Sequence, residues 1–450
     1  MAKQQIDITI SKVWNLTWPI LIANLSIPLI GATNVAVMGR MPSPIYIGAV
    51  ALGVIIFQSI YWGFAFLRSG TTGVTSQAYG AGDSRHVVIA LIRSLIVAFI
   101  VGFAVIALQR PIAWIAFLLI EGSSEVETLA RDYFDVRIWG TFASLGNYAL
   151  LGWFYGIQKP KLALILRVAM NLLNIPLAIF LALHLAWGVK GTAFSAITSN
   201  YIILIAGLVF AIAHIKKLHH DGEFKFDANF FEELKHPEQL FRIFKLNSDI
   251  FIRTIFVFLV FSWFTGLGAK QGDLVLAANA ILINLYWFIS YALDSCSNAA
   301  EALVGASVGA RNETMFHQAI KICTRMAIAF SLVFSLIYLF LGKVFISWLS
   351  VDAGVRTVAE QYLPWLIFMP LIAVACFQLD GIFLGSTQTR TMRNMMCIAF
   401  GIFCISILIL PKYLGNNGLW LSLYLYLIAR AVTLYFPFKN LRSKIFGVAG

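Results

Sequence analysis

Apolar residues occupy this chain in long runs without polar alternation, each closed by glycine, proline or charge. Read in order, the runs predict helical spans over 13–38, 47–78, 88–118, 131–157, 162–185, 191–213, 243–267, 274–308, 318–349, 356–385, 392–410 and 417–437. A helix crossing a bilayer core takes about 20 mostly apolar residues, so each run is long enough. A transmembrane barrel would instead show alternating segments of about 10 residues. The pattern therefore predicts an all-α polytopic membrane protein with about twelve transmembrane helices.

One stretch departs from the pattern. Residues 214–242 form the only extended polar segment and fall at the midpoint. They predict a division into an N-lobe at 1–213 (spans 1–6), a cytoplasmic linker loop at 214–242 and a C-lobe at 243–450 (spans 7–12). A single gap-free offset pairs Gly39 with Gly268, Ala49 with Ala278, Ala51 with Ala280, Gly80 with Gly309, Ala90 with Ala319, Gly152 with Gly381, Phe154 with Phe383 and Gly156 with Gly385. These pairs fall at the same ends of corresponding spans, so the lobes are expected to be pseudo-symmetric six-helix repeats. An even number of spans per lobe makes both enter the membrane from the same side, the parallel-repeat arrangement of many transporters. Two such lobes leave a cleft that rocking would open to alternate sides, and the architecture itself suggests a transporter.

Composition narrows the class further. Of 450 residues, 60% are hydrophobic and 12% charged, against roughly 25% charged in soluble domains, which excludes a soluble globular protein. Lys and Arg total 33 and Asp and Glu 21, a net charge of +12. Placing both termini inside puts basic residues in the inner connections in an excess of roughly two to one, as the positive-inside rule requires. The expected location is a bacterial cytoplasmic (inner) membrane. The basic residues are scattered, without the aromatic-interleaved stripe of a single-strand binder, so no nucleic-acid partner is expected. Five cysteines lie in the second half without metal-ligand spacing, and neither a metal nor a cofactor is expected. The first run lacks a small-residue cleavage site and reads as a retained span.

Charge inside a span costs on the order of 2.5–3.5 kcal/mol on insertion scales, which makes each retained one a functional candidate. The acids are Asp294 and Glu301 in the eighth span, Asp380 in the tenth and Asp249 near the inner end of the seventh. Asp294 and Glu301 are two helical turns apart and share a face, where Asp380 can join them. Burial would raise such carboxyl groups toward neutrality, as proton coupling needs; the alternative is that Glu301 only caps or pairs near the surface. Asp249 and Arg253 stand at the i, i+4 spacing of an intrahelical pair, unless Arg253 reaches Asp294 or Asp380 and is released on protonation. Arg68 is a structural partner or a cytoplasmic gate, and Arg68 and Arg253 are the only basic midspan candidates. Trp62, Phe154, Tyr155, Trp287 and Tyr291 are aromatic candidates for a cleft that binds flat cations by stacking and cation–π attraction. Pro19, Pro28 and Pro176 interrupt apolar helices as hinges or static kinks. The seven histidines lie in or beside connections or at a span end, so no histidine relay is expected.

Several segments resemble the multidrug and toxic compound extrusion (MATE) family, specifically its DinF branch. They are WPILIANLSIPLIGATNVAVMGR (18–40), FLRSGTTGVTSQAYGAGD (66–83), GWFYGIQKPK (152–161), LNSDIFIRT (246–254), SYALDSCSNAAEALVGASVGA (290–310) and LDGIFLGSTQTR (379–390). The resemblance covers nearly the whole chain. It implies twelve helices in two lobes and a cation-coupled antiporter, with protons favoured over sodium. Such a protein exports lipophilic, usually cationic drugs or toxins and is expected to work as a monomer in the lipid bilayer. At the position where the branch usually carries an aspartate, in a pattern like DTAVVGR, this chain has Asn34; Asn174 matches an asparagine of the same family site, and Ala178 stands where an acid is often found. An amide cannot release a proton near neutral pH. Either coupling moves to the C-lobe acids, or Asn34 is an engineered mimic of the protonated aspartate; Ala178 argues for a natural departure. A lipid-linked oligosaccharide flippase of the same superfamily is the alternative and would show several basic residues in its cavity. A membrane enzyme would need an HExxH, a GxSxG or an acidic metal cluster, none of which occurs. A channel would need a filter-like segment.

Overall fold

Runs of Leu, Ile, Val, Ala and Phe leave the backbone no solvent partner in lipid, so every N–H must bond within its own helix. A computed structural model describes residues 8–41, 43–119 and 123–447, without the side chains of 28–30, 119, 237 and 240. The described residues form α1 (Ile10–Leu25), α2 (Ile27–Met38), α3 (Ile45–Gly63), α4 (Phe66–Gly80), α5 (Ser84–Ala107), α6 (Gln109–Leu119), α7 (Ser124–Arg137), α8 (Thr141–Gly156), α9 (Pro160–Ile179), α10 (Gly188–His220), α11 (Ala228–Lys235), α12 (Pro237–Ala269), α13 (Asp273–Gly309), α14 (Glu313–Leu349), α15 (Ala353–Gly385), α16 (Thr389–Lys439) and α17 (Leu441–Phe446).

Among the described residues nine helical segments are long and apolar enough to cross a membrane. The difference from twelve has local causes. α16 is two spans joined at Gly415, whose φ of 55° breaks the helix after Pro411. The run 13–38 is interrupted at Ser26, between α1 and α2, and the run 131–157 by a 3₁₀ turn at Ile138–Gly140. α9 passes into one π-helical turn, Phe180–His184, just after Pro176, which supplies no N–H to the ladder. Pro19 lies inside α1, whereas the side chain of Pro28 falls outside the described residues.

The chain divides into two compact units. The N-terminal unit comprises Ile22–Tyr79 and Asp83–Asn247; the C-terminal unit comprises the described parts of 1–21, 80–82 and 248–450. The stretch 214–242, expected as a loop, is mostly helical and stays with the N-terminal unit. Arg85 of α5 reaches Asp227 (3.1 Å) and Glu233 (2.8 Å), and Arg93 bonds Gln239 and the Glu233 carbonyl. Phe224 and Phe230 are buried against Val88 and Ile89. The charges of this stretch are therefore used to clasp α5.

Both units repeat the same backbone devices. α4 ends at Gly82 (φ 70°) and α13 at Arg311 (φ 49°). The next residues cap the following helices: Asp83 accepts from the His86 N–H, and Asn312 from the Met315 N–H. The His86 ring, hydrogen-bonded to Asp83, holds its carboxyl below the usual range. Past α8 and α15 come Gln158 (φ 58°) and Thr387 (φ 53°), closed by Lys159 N–H to Phe154 O (2.8 Å) and Gln388 N–H to Phe383 O (2.9 Å). These are Schellman ends, which satisfy carbonyls the helix leaves open.

The helix seams repeat as well. A Cβ on Gly152 would lie 2.2 Å from the Arg68 carbonyl oxygen, and one on Gly381 would lie 2.3 Å from that of Ser297. One turn on, Gly156 faces the Ser76 nitrogen at 3.1 Å and Gly385 faces that of Gly305 at 3.0 Å. Each correspondence falls on the offset read from the sequence, so the two lobes are pseudo-symmetric down to individual backbone atoms.

Candidate functional site

In the C-terminal unit, four elements bring charge to one place. α15 presents Asp380, whose Oδ2 receives Arg253 of α12 and Arg430 of α16, both at 2.5 Å. Asp380 and Arg430 are almost wholly buried, with side-chain exposures of 4% and 5%. Asp294 of α13 is half-buried and, with Asp380, Arg253 and Arg430, lies within electrostatic reach of Cys376. One carboxylate, Asp380, thus stands between two guanidinium groups.

The i, i+4 pair expected between Asp249 and Arg253 is replaced by two tertiary pairs. Asp249 accepts from Arg393 (2.6 Å) and Thr389 (3.1 Å), while Arg253 goes to Asp380. Asp249 is 4% exposed, and partners on another helix approach its deep side better than an arginine one turn along. The expected cluster of Asp294, Glu301 and Asp380 also changes: Asp380 is committed to two arginines as an ionic hub. Glu301 is wholly buried seven residues beyond Asp294, where its carbonyl meets Gly385. Arg430 escaped the sequence reading because it lies in the apolar run LYLIARAVTLY; a lone arginine inside a span is the signal that would have found it.

In the N-terminal unit Asn34 (1% exposed) and Asn174 (1%) are buried. Asn174 donates to Ser195 (3.2 Å) on α10, and Asn171 to the Ser26 carbonyl at the α1–α2 break (3.2 Å). Asn34 and Arg137 both lie near Tyr133, whose ring fills the space left by Gly53, where a Cβ would lie 2.4 Å away. Arg137 approaches the Tyr61 hydroxyl (3.5 Å) and lies over the Phe57 and Tyr61 rings at 5.5 and 5.4 Å. Arg68 sits on α4 with its guanidinium on Ser69 (3.1 Å). Arg137, the last residue of α7, is buried, and Arg167 of α9 is half-buried, two basic groups that the sequence reading did not single out. Both stand near span ends in sequence, which disguised them as loop residues.

The aromatic candidates separate by burial. Phe154 is 0% and Tyr155 3% exposed, and Phe154 packs edge-on against Trp153 at 5.3 Å. Both are buried residues of α8. Trp62, Trp287 and Tyr291 are partly exposed, with Trp287 against Phe261 at 4.9 Å.

The MatE family model matches residues 19–180 and again 250–410, once in each half. The chain is 35% identical over 421 residues to DNA damage-inducible protein F of Escherichia coli (strain K12), covering 94% of this chain and 90% of that protein. It is 23% identical to the probable multidrug resistance protein NorM of Synechocystis sp., covering 94% and 95%. The bent form of the Vibrio cholerae MATE transporter VcmN superposes with a TM-score of 0.83 at 15% identity, covering 97% of both chains. Family model, relatives and fold agree with one another and with the duplicated twelve-span architecture. The chain belongs to the MatE family of multidrug and toxic compound extrusion transporters, and it is a multi-pass membrane secondary transporter, not an enzyme.

Proposed function

We propose that this chain exports lipophilic drugs or toxins, the family's usual cargo being cationic, by alternating access in exchange for protons, with sodium as the less favoured coupling ion. It works as a monomer in a bacterial inner membrane with both termini in the cytoplasm. Asp294 and Glu301 of the C-lobe carry the coupling proton. The observation supporting this reading is the distribution of acids: among the described residues the buried carboxylates are Asp249, Glu301 and Asp380, all in the C-terminal unit. Asp249 and Asp380 are held by arginines, while Asp294 and wholly buried Glu301 stand two turns apart on α13, acids inside a span of the kind that marks a proton path. In the N-terminal unit Asn34 and Ala178 remove both acids of the family site.

The test is efflux of ethidium from inverted vesicles under separately imposed proton and sodium gradients. Asp294→Asn and Glu301→Gln are each expected to reduce proton-driven efflux at least tenfold while the protein still reaches the membrane. Efflux that persists at parental rate in both variants, or that only sodium drives, would overturn the assignment. Efflux appearing only in Asn34→Asp would return coupling to the first span.

A further inference from the structure

From residue 381 to residue 450 the sequence contains no aspartate and no glutamate, while Arg390, Arg393, Lys439, Arg442 and Lys444 stand at the two ends of α16 and on α17. Arg393 is neutralised by Asp249 and Arg442 by Glu313, acids carried on other elements. The two ends of α16 come back to one place because the helix is broken at Gly415. There α17 is held down on α14 by the Arg442–Glu313 pair and by Phe446, whose ring lies 5.4 Å from that of Phe316.

Between the end of α15, the start of α16 and α17 lies a cavity of about 450 Å³, room for a small polar group. Phe383, Pro437 and Leu441 give it an apolar side, and Gln388, Thr391, Asn440 and Ser443 give it neutral hydrogen-bonding groups. Lys444 is the one charged side chain on its lining, and among the described residues no acid joins it. Asn440 and Lys444 are exposed and Gln388, Thr391 and Ser443 partly so, which leaves the cavity accessible from outside. Its level in the bilayer follows from the end of the last apolar run. Tyr435 and Phe436, 50% and 63% exposed, give way to Lys439, Arg442 and Lys444. Exposed aromatic side chains at a span end, followed by basic ones, mark the headgroup layer.

We propose that this cavity binds the headgroup of an anionic phospholipid, with the phosphate at Lys444 and the hydroxyl groups of the head at Gln388, Thr391, Asn440 and Ser443. A phosphodiester oxygen accepts a charge-assisted bond from the lysine ammonium. Hydroxyl groups find both donors and acceptors among side-chain amides and hydroxyls. A head with its own ammonium would set a second cation beside Lys444, so the lining selects a polyol head such as that of phosphatidylglycerol. Phe383, Pro437 and Leu441 take the carbon of the glycerol ester region. The site needs only that the chain spans a membrane and does not rest on the export reading.

The experiment is native mass spectrometry of the purified full chain in non-ionic detergent, mixed with equal amounts of phosphatidylglycerol and phosphatidylethanolamine of the same acyl chains. The species that retains one lipid is expected to favour phosphatidylglycerol at least tenfold. Lys444→Gln should lower that preference at least fivefold. Lys439→Gln removes the same charge from a side chain that lies over the Tyr435 ring at 5.0 Å, off the cavity lining, and should leave the preference within twofold of the parent. Thr391→Phe fills the cavity with every charge in place and should also lower the preference at least fivefold, which keeps the test decisive if Lys444→Gln fails to fold. An excess of glycerol 3-phosphate should leave the lipid bound; its displacement would assign the cavity to a free phosphate ester and overturn the lipid reading. Equal retention of the two lipids, a preference unchanged in the folded Lys444→Gln and Thr391→Phe variants, or an equal fall in Lys439→Gln would overturn the proposal as well.

Discussion

Asp380→Asn is expected to destabilise the C-terminal unit by about 3–5 kcal/mol, the usual cost of removing one partner from a buried ion pair. Two guanidinium groups converge on one carboxylate oxygen at 2.5 Å each. Without that oxygen's charge they face each other at close range in a low dielectric. Removing Arg430 as well, in Asp380→Asn/Arg430→Met, should recover part of the loss, because it takes away the buried charge that the single variant strands. Asp249→Asn should cost less, since its partner Arg393 is 28% exposed and can turn to water. Thermal unfolding in detergent, followed by intrinsic fluorescence, orders the three variants. An Asp380→Asn midpoint equal to that of the parent would show that the triad contributes nothing net.

Gly381→Leu and Gly152→Leu are the second pair of large effects. The approach of α15 to the Ser297 carbonyl and of α8 to the Arg68 carbonyl leaves no room even for a methyl group. The obstructing atoms are backbone, so relief requires the helices to part rather than a side chain to rotate. Each substitution should reach or exceed the ~3 kcal/mol upper end of ordinary overpacking, with little monodisperse protein recovered. Gly401→Ala provides the contrast, since nothing lies within 4 Å of a Cβ there, and alanine is the better helix former. Parental yield and midpoint for Gly381→Leu would mean that the two helices are not held at backbone contact.

The spans and the duplication were legible because they rest on long-range statistics: runs of about 20 apolar residues have one reading, and a gap-free offset survives divergence. The broken helices were not. Ser26 and Ile138–Gly140 leave no composition signature, because neighbouring carbonyls accept the freed N–H groups locally. The candidate site was half legible. Charge inside apolar runs singled out Asp294, Asp380 and Arg253, but the i, i+4 rule misassigned the partner of Asp249, because tertiary partners outrank an intrahelical pair when the carboxylate is buried. The burial of Phe154 and Tyr155 was not legible either: in a helix packed on nearly all sides, an aromatic pair carries no sign of which face is open. Arg430 carried a signal, a lone arginine in an apolar run, whereas the burial of Arg137 required the tertiary structure.

The matched seams and turns make the two halves each other's internal reference. At positions related by the offset, Ala65 stands against Asp294, Thr72 against Glu301, Leu151 against Asp380, Ser297 against Arg68 and Leu366 against Arg137. Backbone atoms have kept their partners through the divergence, while not one of these ionisable groups has an ionisable counterpart. A duplicated gene first makes two equal halves, and equal halves would offer a cargo and a coupling ion the same sites twice. Among the described residues the inherited scaffold holds buried acids as well as buried arginine in one unit and buried arginine without a buried acid in the other. A chain built from either copy twice would lack groups that only the other carries, the buried acids of one or the buried Arg137 of the other.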